Sequence, residues 1–108
     1  MTISSCRDRN GVWVTCSSDT WEVHVLYRHP DMDDYKAEVI QTITSPDAEF
    51  EDADYTHRTC FYSRRGIVPD YPDAMIKVVV EYTDGQGELK TTFLAETHKP
   101  GETLRWSR

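Results

Sequence analysis

Long apolar runs are absent from this sequence of 108 residues. No stretch approaches the roughly 20 apolar residues that a membrane-spanning helix requires, so we expect no membrane association. Residues 1–6 are short and polar and lack the basic-then-apolar pattern of a secretory leader, which predicts a cytoplasmic location. Linkers, internal repeats and low-complexity tracts are also missing, so we expect one domain that spans residues 1–108.

The sequence contains few cysteines, and their spacing does not match a known paired motif. The three cysteines are Cys6, Cys16 and Cys60, and none belongs to a CxxC pair. An odd number without paired spacing predicts neither a disulfide framework nor a zinc site. Cys6 and Cys16 flank a predicted hairpin and could lie near each other. We interpret them as reduced, half-buried thiols, because a free cysteine usually behaves as a small buried hydrophobe.

Sequence signatures for cofactors and for common catalytic centres are missing as well. There is no glycine-rich phosphate loop, no HExxH helix and no GxSxG turn. His24 and His29 are five residues apart, whereas a spacing of four would place two zinc ligands on one face of an α-helix. The sequence therefore predicts no cofactor and no metal.

The sequence has fewer basic than acidic residues. It contains 12 lysines and arginines and 19 aspartates and glutamates, and the net charge is −7. This balance disfavours nonspecific nucleic-acid binding, which is driven by neutralisation of phosphates. The excess of acid lies in the first half, and the second half carries cations that could form a local patch. These are Arg58, Arg64, Arg65, Lys77, Lys90 and Lys99. Solvated loops and strand edges would explain the same residues.

The acidic stretch over residues 47–54 admits two interpretations. The simpler one is a solvated strand edge whose charge blocks pairing with another chain. The other is a surface for a basic partner, or a mimic of nucleic acid. Only the second interpretation implies a function.

Apolar residues make up 38% of the chain and are spread along it, as in globular proteins. Two β-prone runs, residues 3–6 and 12–15, surround Asn10-Gly11, a pair that tolerates positive φ, and this arrangement predicts a hairpin. A helix is predicted over residues 20–28, with Asp19 and Glu22 resembling a capping box. Apolar residues at helical spacing predict a second helix over residues 31–42.

The pattern then changes to a period of two residues. A weak strand is predicted over residues 50–55, a better one over 58–63, and the clearest over 75–83, with a hairpin return over 88–97. The apolar side chains of Leu104 and Trp106 should tuck back against the domain. We therefore predict an α+β fold: an N-terminal β-hairpin and two short helices packed on one face of a three- to four-stranded antiparallel sheet.

The helical region contains the first candidate functional residues. His24 and Arg28 share a helix face, and a neighbouring guanidinium favours the neutral imidazole that a general base needs. His29 stands at the break before Pro30, where it should be exposed. The alternative is structural: His24 packs beside Trp21, and His29 merely caps the next helix.

The open face of the sheet provides the second set of candidates. Arg58, Tyr62, Lys77 and Thr92 gather there if adjacent strands align. Such a set could bind a phosphate, orient a ribose hydroxyl and stabilise the negative charge of phosphodiester cleavage. An ordinary solvated sheet face with cross-strand ion pairs remains the alternative.

Several short motifs resemble those of a known nuclease group. The string over residues 21–32, WEVHVLYRHPDM, resembles the W-x-x-H-I-x-x-R-H-P-E-M opening of small phage-associated and bacterial domains. These domains belong to the barnase–EndoU–colicin–RelE-like (BECR) group. Residues 43–47 are similar to its I-x-x-P-D helix exit, and residues 76–80 to its L-K-V-V-V strand. With Cys60-Phe61-Tyr62 and Leu104-Arg105-Trp106, the resemblance covers residues 12–106.

The resemblance implies helices on a four-stranded antiparallel sheet and metal-independent cleavage of RNA in toxin or phage-conflict settings. By position, His24 or His29 would be the acid or base, Arg58 and Lys77 would contact the phosphate, and Tyr62 and Thr92 would orient hydroxyls. RNA and an inhibitor protein are then the expected partners. Thr92-Phe93-Leu94 replaces the usual Thr-Ala-Tyr, which suits a degenerate member. The alternative function is a noncatalytic acidic interaction domain that binds a partner protein.

Overall fold

Seven β-strands form one mixed sheet in the computed structural model, which describes residues 1–108. The strands are β1 (Thr2–Arg7), β2 (Trp13–Ser17), β3 (Ala48–Glu51), β4 (Arg58–Tyr62), β5 (Met75–Thr83), β6 (Gln86–Ala95) and β7 (Thr103–Ser107). Their spatial order is β1-β2-β6-β5-β4-β3-β7. The α+β class is confirmed, but the predicted three- to four-stranded antiparallel sheet is wrong in its number of strands and in one pairing.

That pairing is the parallel contact between β2 and β6, which joins the predicted hairpin to the sheet. Val14 lies opposite Gly87 and Thr15 opposite Glu88. A Cβ atom at Gly87 would lie 2.9 Å from methyl groups of both Val14 and Val80, so only glycine allows the two strands to approach this closely. The hairpin itself is confirmed, with Cys6 paired with Val14.

The strand that the sequence did not predict is β7, which pairs antiparallel with β3. Leu104 lies opposite Phe50 and Trp106 opposite Glu49. The sequence predicted that these two residues return to the domain. It did not predict that their backbone extends the sheet, because so short a strand has little pattern of its own.

Both predicted helices are present, with unusual winding at their starts. Helix α1 consists of a π-helical segment, Thr20–Val25, and an α-helical turn, Leu26–Arg28. A 3-10 helical segment, Pro30–Tyr35, leads into helix α2, Lys36–Thr44. The predicted capping box is wrong, because Asp19 makes no side-chain capping bond. The hydroxyl of Ser17 instead accepts a hydrogen bond from the Thr20 N–H at 3.1 Å.

The helices pack on one face of the sheet, where alternate strand residues meet them. Fourteen buried residues form this core: Val14, Cys16, Trp21, Val25, Met32, Val39, Ile43, Phe61, Ile67, Val68, Ile76, Val78, Val80 and Leu89. No helix of the structure combines the length and the apolar character that a bilayer crossing demands.

The opposite face of the sheet is covered at its centre, whereas the sequence predicted it to be open. The connection from β6 to β7, residues 96–102, crosses this face, and we refer to it as the crossing segment. Its His98 ring lies 4.5 Å from the ring of Tyr62, and its Glu102 bonds to Lys77. Beneath it lies a second, smaller buried cluster of Cys60, Tyr62, Met75 and Val79.

Candidate functional site

A recess of about 430 Å3 lies between helix α1 and strands β4 and β6, and we refer to it as the basic groove. Its lining comprises Thr20, His24, Arg28, His29, Arg58, Lys90, Thr91 and Phe93. Two imidazoles and three cationic side chains thus share one concave surface, and no carboxylate lines it. This concentration of positive charge contrasts with the net charge of −7 of the whole chain.

Helix α1 presents one side to the groove because its other side is anchored in the core. Trp21 and Val25 are buried, whereas His24 and Arg28 are exposed. The alternative in which His24 packs half-buried is therefore not what the structure shows. Because apolar burial fixes the helix, the imidazole and the guanidinium are held at the rim of the groove.

His29 lies inside the groove rather than at its rim. Its ring stacks on Phe93, with the ring centroids 5.2 Å apart and the planes inclined by 28°. His29 occupies the N-cap position of the segment that begins at Pro30, as the capping alternative expected, but its side chain makes no capping hydrogen bond. The contact with Phe93 fixes the position of this imidazole relative to strand β6.

Arg58 is oriented by two neighbours. Its Nε donates to Oε1 of Glu81 at 3.1 Å, and its guanidinium lies 4.0 Å from the centre of the Tyr55 ring. The hydrogen bond from Arg58, followed by the charge of Lys90 at 3.6 Å, holds the pKa of Glu81 below its usual range. Neither terminal nitrogen of Arg58 has a hydrogen-bond partner in the protein, so both can bind an anion.

Two sequence-predicted site residues lie outside the groove, under the crossing segment. Lys77 on β5 lies between its cross-strand neighbours Tyr62 on β4 and Phe93 on β6. Its ammonium bonds to Glu102 at 2.6 Å, and the hydroxyl of Tyr62 donates to the same carboxylate. Both side chains are buried, so a phosphate reaches neither of them in this conformation.

Thr92 lies on the other face of the sheet. It pairs with Val78 in the main core, is fully buried, and donates its hydroxyl to the carbonyl of Lys77 at 2.8 Å. The structure therefore brings together His24, His29 and Arg58, and it separates them from Tyr62, Lys77 and Thr92. The strand alternation that places Thr92 opposite the groove follows from its pairing with a core valine.

Lys90 lines the groove, although the predicted site residues did not include it. Simple alternation places Lys90 on the face opposite Thr91 and Phe93, yet all three line the groove. The cause is a bulge in β6: Val79 pairs with Thr91 and Val80 with Leu89, which leaves Lys90 without a direct partner. The sequence contains no signal for this bulge. Arg28, one helical turn after His24, was paired with it from the sequence, although it was not given a role in the predicted site.

One group of potential metal ligands exists outside the groove. Asp52, Cys60 and Glu102 place ligand atoms within 4.8 Å of one another. The ammonium of Lys77 already neutralises Glu102, and burial raises the pKa of the Cys60 thiol far above its ordinary value. Both effects disfavour a cation at this position.

Comparison with known proteins returned no family model, no curated protein and no solved structure similar to this chain. The chemistry of the groove therefore has to support any functional proposal by itself. Its cationic and imidazole side chains have the chemistry required to bind an anion and to transfer protons.

Proposed function

We propose that the protein is a small endoribonuclease that cleaves RNA in the basic groove without a metal ion. One observation carries the proposal: two imidazoles and three cationic side chains line a single recess of an acidic protein. Cleavage of a phosphodiester by its own ribose needs two proton transfers and stabilisation of a dianionic phosphorus centre. These residue types supply both requirements.

His24 and His29 divide the proton transfers between them. One imidazole, in its neutral form, removes the proton from the ribose 2′-hydroxyl, and the 2′-oxygen forms a bond to phosphorus. The bond from phosphorus to the 5′-oxygen breaks, and the other imidazole, in its protonated form, gives its proton to that oxygen. The products are a 2′,3′-cyclic phosphate and a 5′-hydroxyl, and a bell-shaped dependence of rate on pH follows.

The cationic side chains stabilise the charge that develops on the non-bridging oxygens. The two free terminal nitrogens of Arg58 suit the planar, two-point recognition of a phosphate, and Glu81 fixes the direction in which they point. Lys90, oriented by the same carboxylate, acts as a second point charge. Removal of one such donor typically lowers the rate about 10²–10³-fold.

Incubation of the purified protein with mixed RNA in excess chelator tests this proposal. We expect cleavage with cyclic phosphate termini, and its loss in the double variant His24→Ala, His29→Ala. His57→Ala is the matched control, because His57 is exposed, adjoins Arg58 in sequence and does not line the groove. Equal cleavage by the double variant and the wild type, or none by the wild type, would remove the proposal.

A noncatalytic acidic interaction domain is the second candidate function. The observation in its favour is the 3-10 helical segment, which exposes Asp31 and Asp34 without an ion-pair partner. Affinity capture from host lysate should then recover a basic protein with the wild type and lose it with Asp31→Asn, Asp34→Asn. Recovery of the same proteins by both chains would exclude this surface.

A further inference from the structure

Two exposed tyrosines adjoin cationic residues of the basic groove: Tyr27 precedes Arg28 in the sequence, and Tyr55 packs against Arg58. Tyr27 is 85% exposed and lies between the groove residues His24 and Arg28 on helix α1. Tyr55 is 55% exposed, and its ring packs against the guanidinium of Arg58. Single exposed aromatic residues are ordinary on protein surfaces. Their position matters here, because each adjoins a cation that can hold a phosphate.

We propose that the groove accepts unpaired RNA, whose bases stack on Tyr27 and Tyr55 while the backbone lies between Arg28, Arg58 and Lys90. The inference rests on the proposed function, since it takes the groove as the place where the RNA backbone binds. Stacking on aromatic side chains is the usual way to hold a single strand, because every base offers a flat face.

The limited extent of the positive charge supports a single strand over a duplex. Only Arg28, Arg58 and Lys90 provide fixed positive charge in the groove. Exposed Glu88 lies 4.0 Å from the ammonium of Lys90 and marks the edge of the basic surface. A duplex lying along the protein would meet an acidic surface, whereas a strand held at about three phosphates need not extend beyond the groove.

The chemistry assigned to the groove leads to the same substrate class. When the 2′-oxygen attacks, the 2′-oxygen, the phosphorus and the 5′-oxygen must lie nearly in line. This alignment has a large effect on the rate. A regular A-form helix holds these atoms away from that alignment, while an unpaired strand can adopt it. Because His29 lies inside the recess on Phe93, the backbone must also bend inward to reach it.

Fluorescence anisotropy with labelled 2′-O-methyl RNA of about ten nucleotides tests the inference, because this probe lacks the attacking hydroxyl and remains intact. We expect the single strand to bind at least about tenfold more tightly than the same strand annealed to its complement. The plot of log affinity against log salt should have a slope of about −2, as expected for three phosphates. Equal or tighter binding of the duplex would overturn the inference.

Variants of the tyrosines provide the second test. Tyr27→Leu and Tyr55→Leu should each weaken single-strand binding about fivefold or more, whereas Tyr27→Phe and Tyr55→Phe should retain it, because the ring and not the hydroxyl makes the stack. Tyr71→Leu is the matched control, since Tyr71 is 45% exposed but lies in the connection between β4 and β5 and adjoins no groove residue in the sequence. Wild-type affinity in both leucine variants would contradict the inference.

The groove variants separate this inference from the proposed function. If Arg58→Gln and Lys90→Gln abolish binding of the probe while the tyrosine variants do not weaken it, the groove remains the binding site and only the stacking model falls. If Arg58→Gln and Lys90→Gln leave binding unchanged, the RNA binds elsewhere and both proposals fall. Circular dichroism spectra matching the wild type establish that each variant is folded.

Discussion

The ammonium of Lys77 lies 2.6 Å from a carboxylate oxygen of Glu102, and the two side chains are only 6% and 0% exposed. Tyr62 donates its hydroxyl to the other oxygen of the same carboxylate. The pair joins strand β5 to the crossing segment, although Lys77 and Glu102 are 25 residues apart in the sequence. It fixes that segment over the sheet, and it keeps Lys77 and Tyr62 away from solvent.

Loss of this pair should destabilise the protein strongly. Glu102→Gln leaves the buried ammonium of Lys77 uncompensated, and we expect the free energy of unfolding to fall by roughly 3–5 kcal/mol in urea titrations. Adding Lys77→Met to this variant should recover part of the loss, because it removes the uncompensated charge. Asp54→Asn, which breaks the exposed pair with Lys99, serves as the control and should change stability little.

The same pair should make stability depend on pH in the acid range. Burial opposes the ionised form of Glu102, but the hydrogen bonds from Lys77 and Tyr62 outweigh it and lower its pKa from an ordinary value of 4.5. The folded state therefore binds this proton less readily than the unfolded state. Its contribution is fully present above about pH 4.5 and is lost as the pH falls through the lowered pKa.

Urea titrations from pH 7 to pH 3 should show this difference between the wild type and Glu102→Gln. Other carboxylates also titrate in this range, so the informative quantity is the gap in unfolding free energy between the two proteins. We expect the gap to narrow below pH 4.5, where protonation removes the charge that the variant already lacks. A gap that stays constant over the whole range would contradict the assignment.

The cysteines should remain reduced and react slowly. Cys6 pairs with Val14 and Cys16 with Ser4, so the two thiols are diagonal neighbours whose Cα atoms lie about 7–8 Å apart, beyond disulfide range. Burial raises the pKa of Cys16 to about 11, which leaves little thiolate at neutral pH. We expect Ellman's reagent to titrate Cys16 only after unfolding in urea. Rapid formation of a Cys6–Cys16 disulfide in the folded protein would contradict this.

Arg58 should be sensitive even to a conservative change. Arg58→Lys keeps the charge but loses the planar fork that binds Glu81 and a phosphate together, so we expect kcat to fall about 10²-fold. Arg64→Lys is the control, because Arg64 is exposed and its side chain makes no hydrogen bond or ion pair; only its backbone carbonyl accepts one, from Ser63. An equal effect of both substitutions on RNA cleavage would show that Arg58 contributes charge alone.

Much of the fold could be predicted from local pattern. Asn10-Gly11, the valines of β5 and the turn at Asp84-Gly85 each carry a short-range signal that needs no tertiary context, and Asp84 and Gly85 do adopt positive φ. The parallel pairing of β2 with β6 carries no such signal. It depends on the absence of a side chain at Gly87, and a single glycine in a strand has several explanations.

The candidate site could likewise be predicted only where the signal was local. His24 and Arg28 were predictable because helical spacing places them together, and Arg58 because it begins a patterned strand. Lys77 and Tyr62 were expected on an open face, but only the position of Glu102, far along the chain, decides that they are covered. Long-range burial of this kind leaves no trace in the period-two pattern of a strand.

Because Thr20–Val25 is wound as a π-helix, the number of residues in this segment determines which of its side chains face the same way. The N–H of Leu26 bonds to the carbonyl of Trp21, five residues earlier, so each turn holds more residues than in an α-helix. Residues five apart within this segment, such as the buried Thr20 and Val25, are thereby rotated towards a common side. A deletion of one residue here would allow ordinary α-helical winding. It would keep His24 in the sequence but change its direction relative to the buried side of the helix.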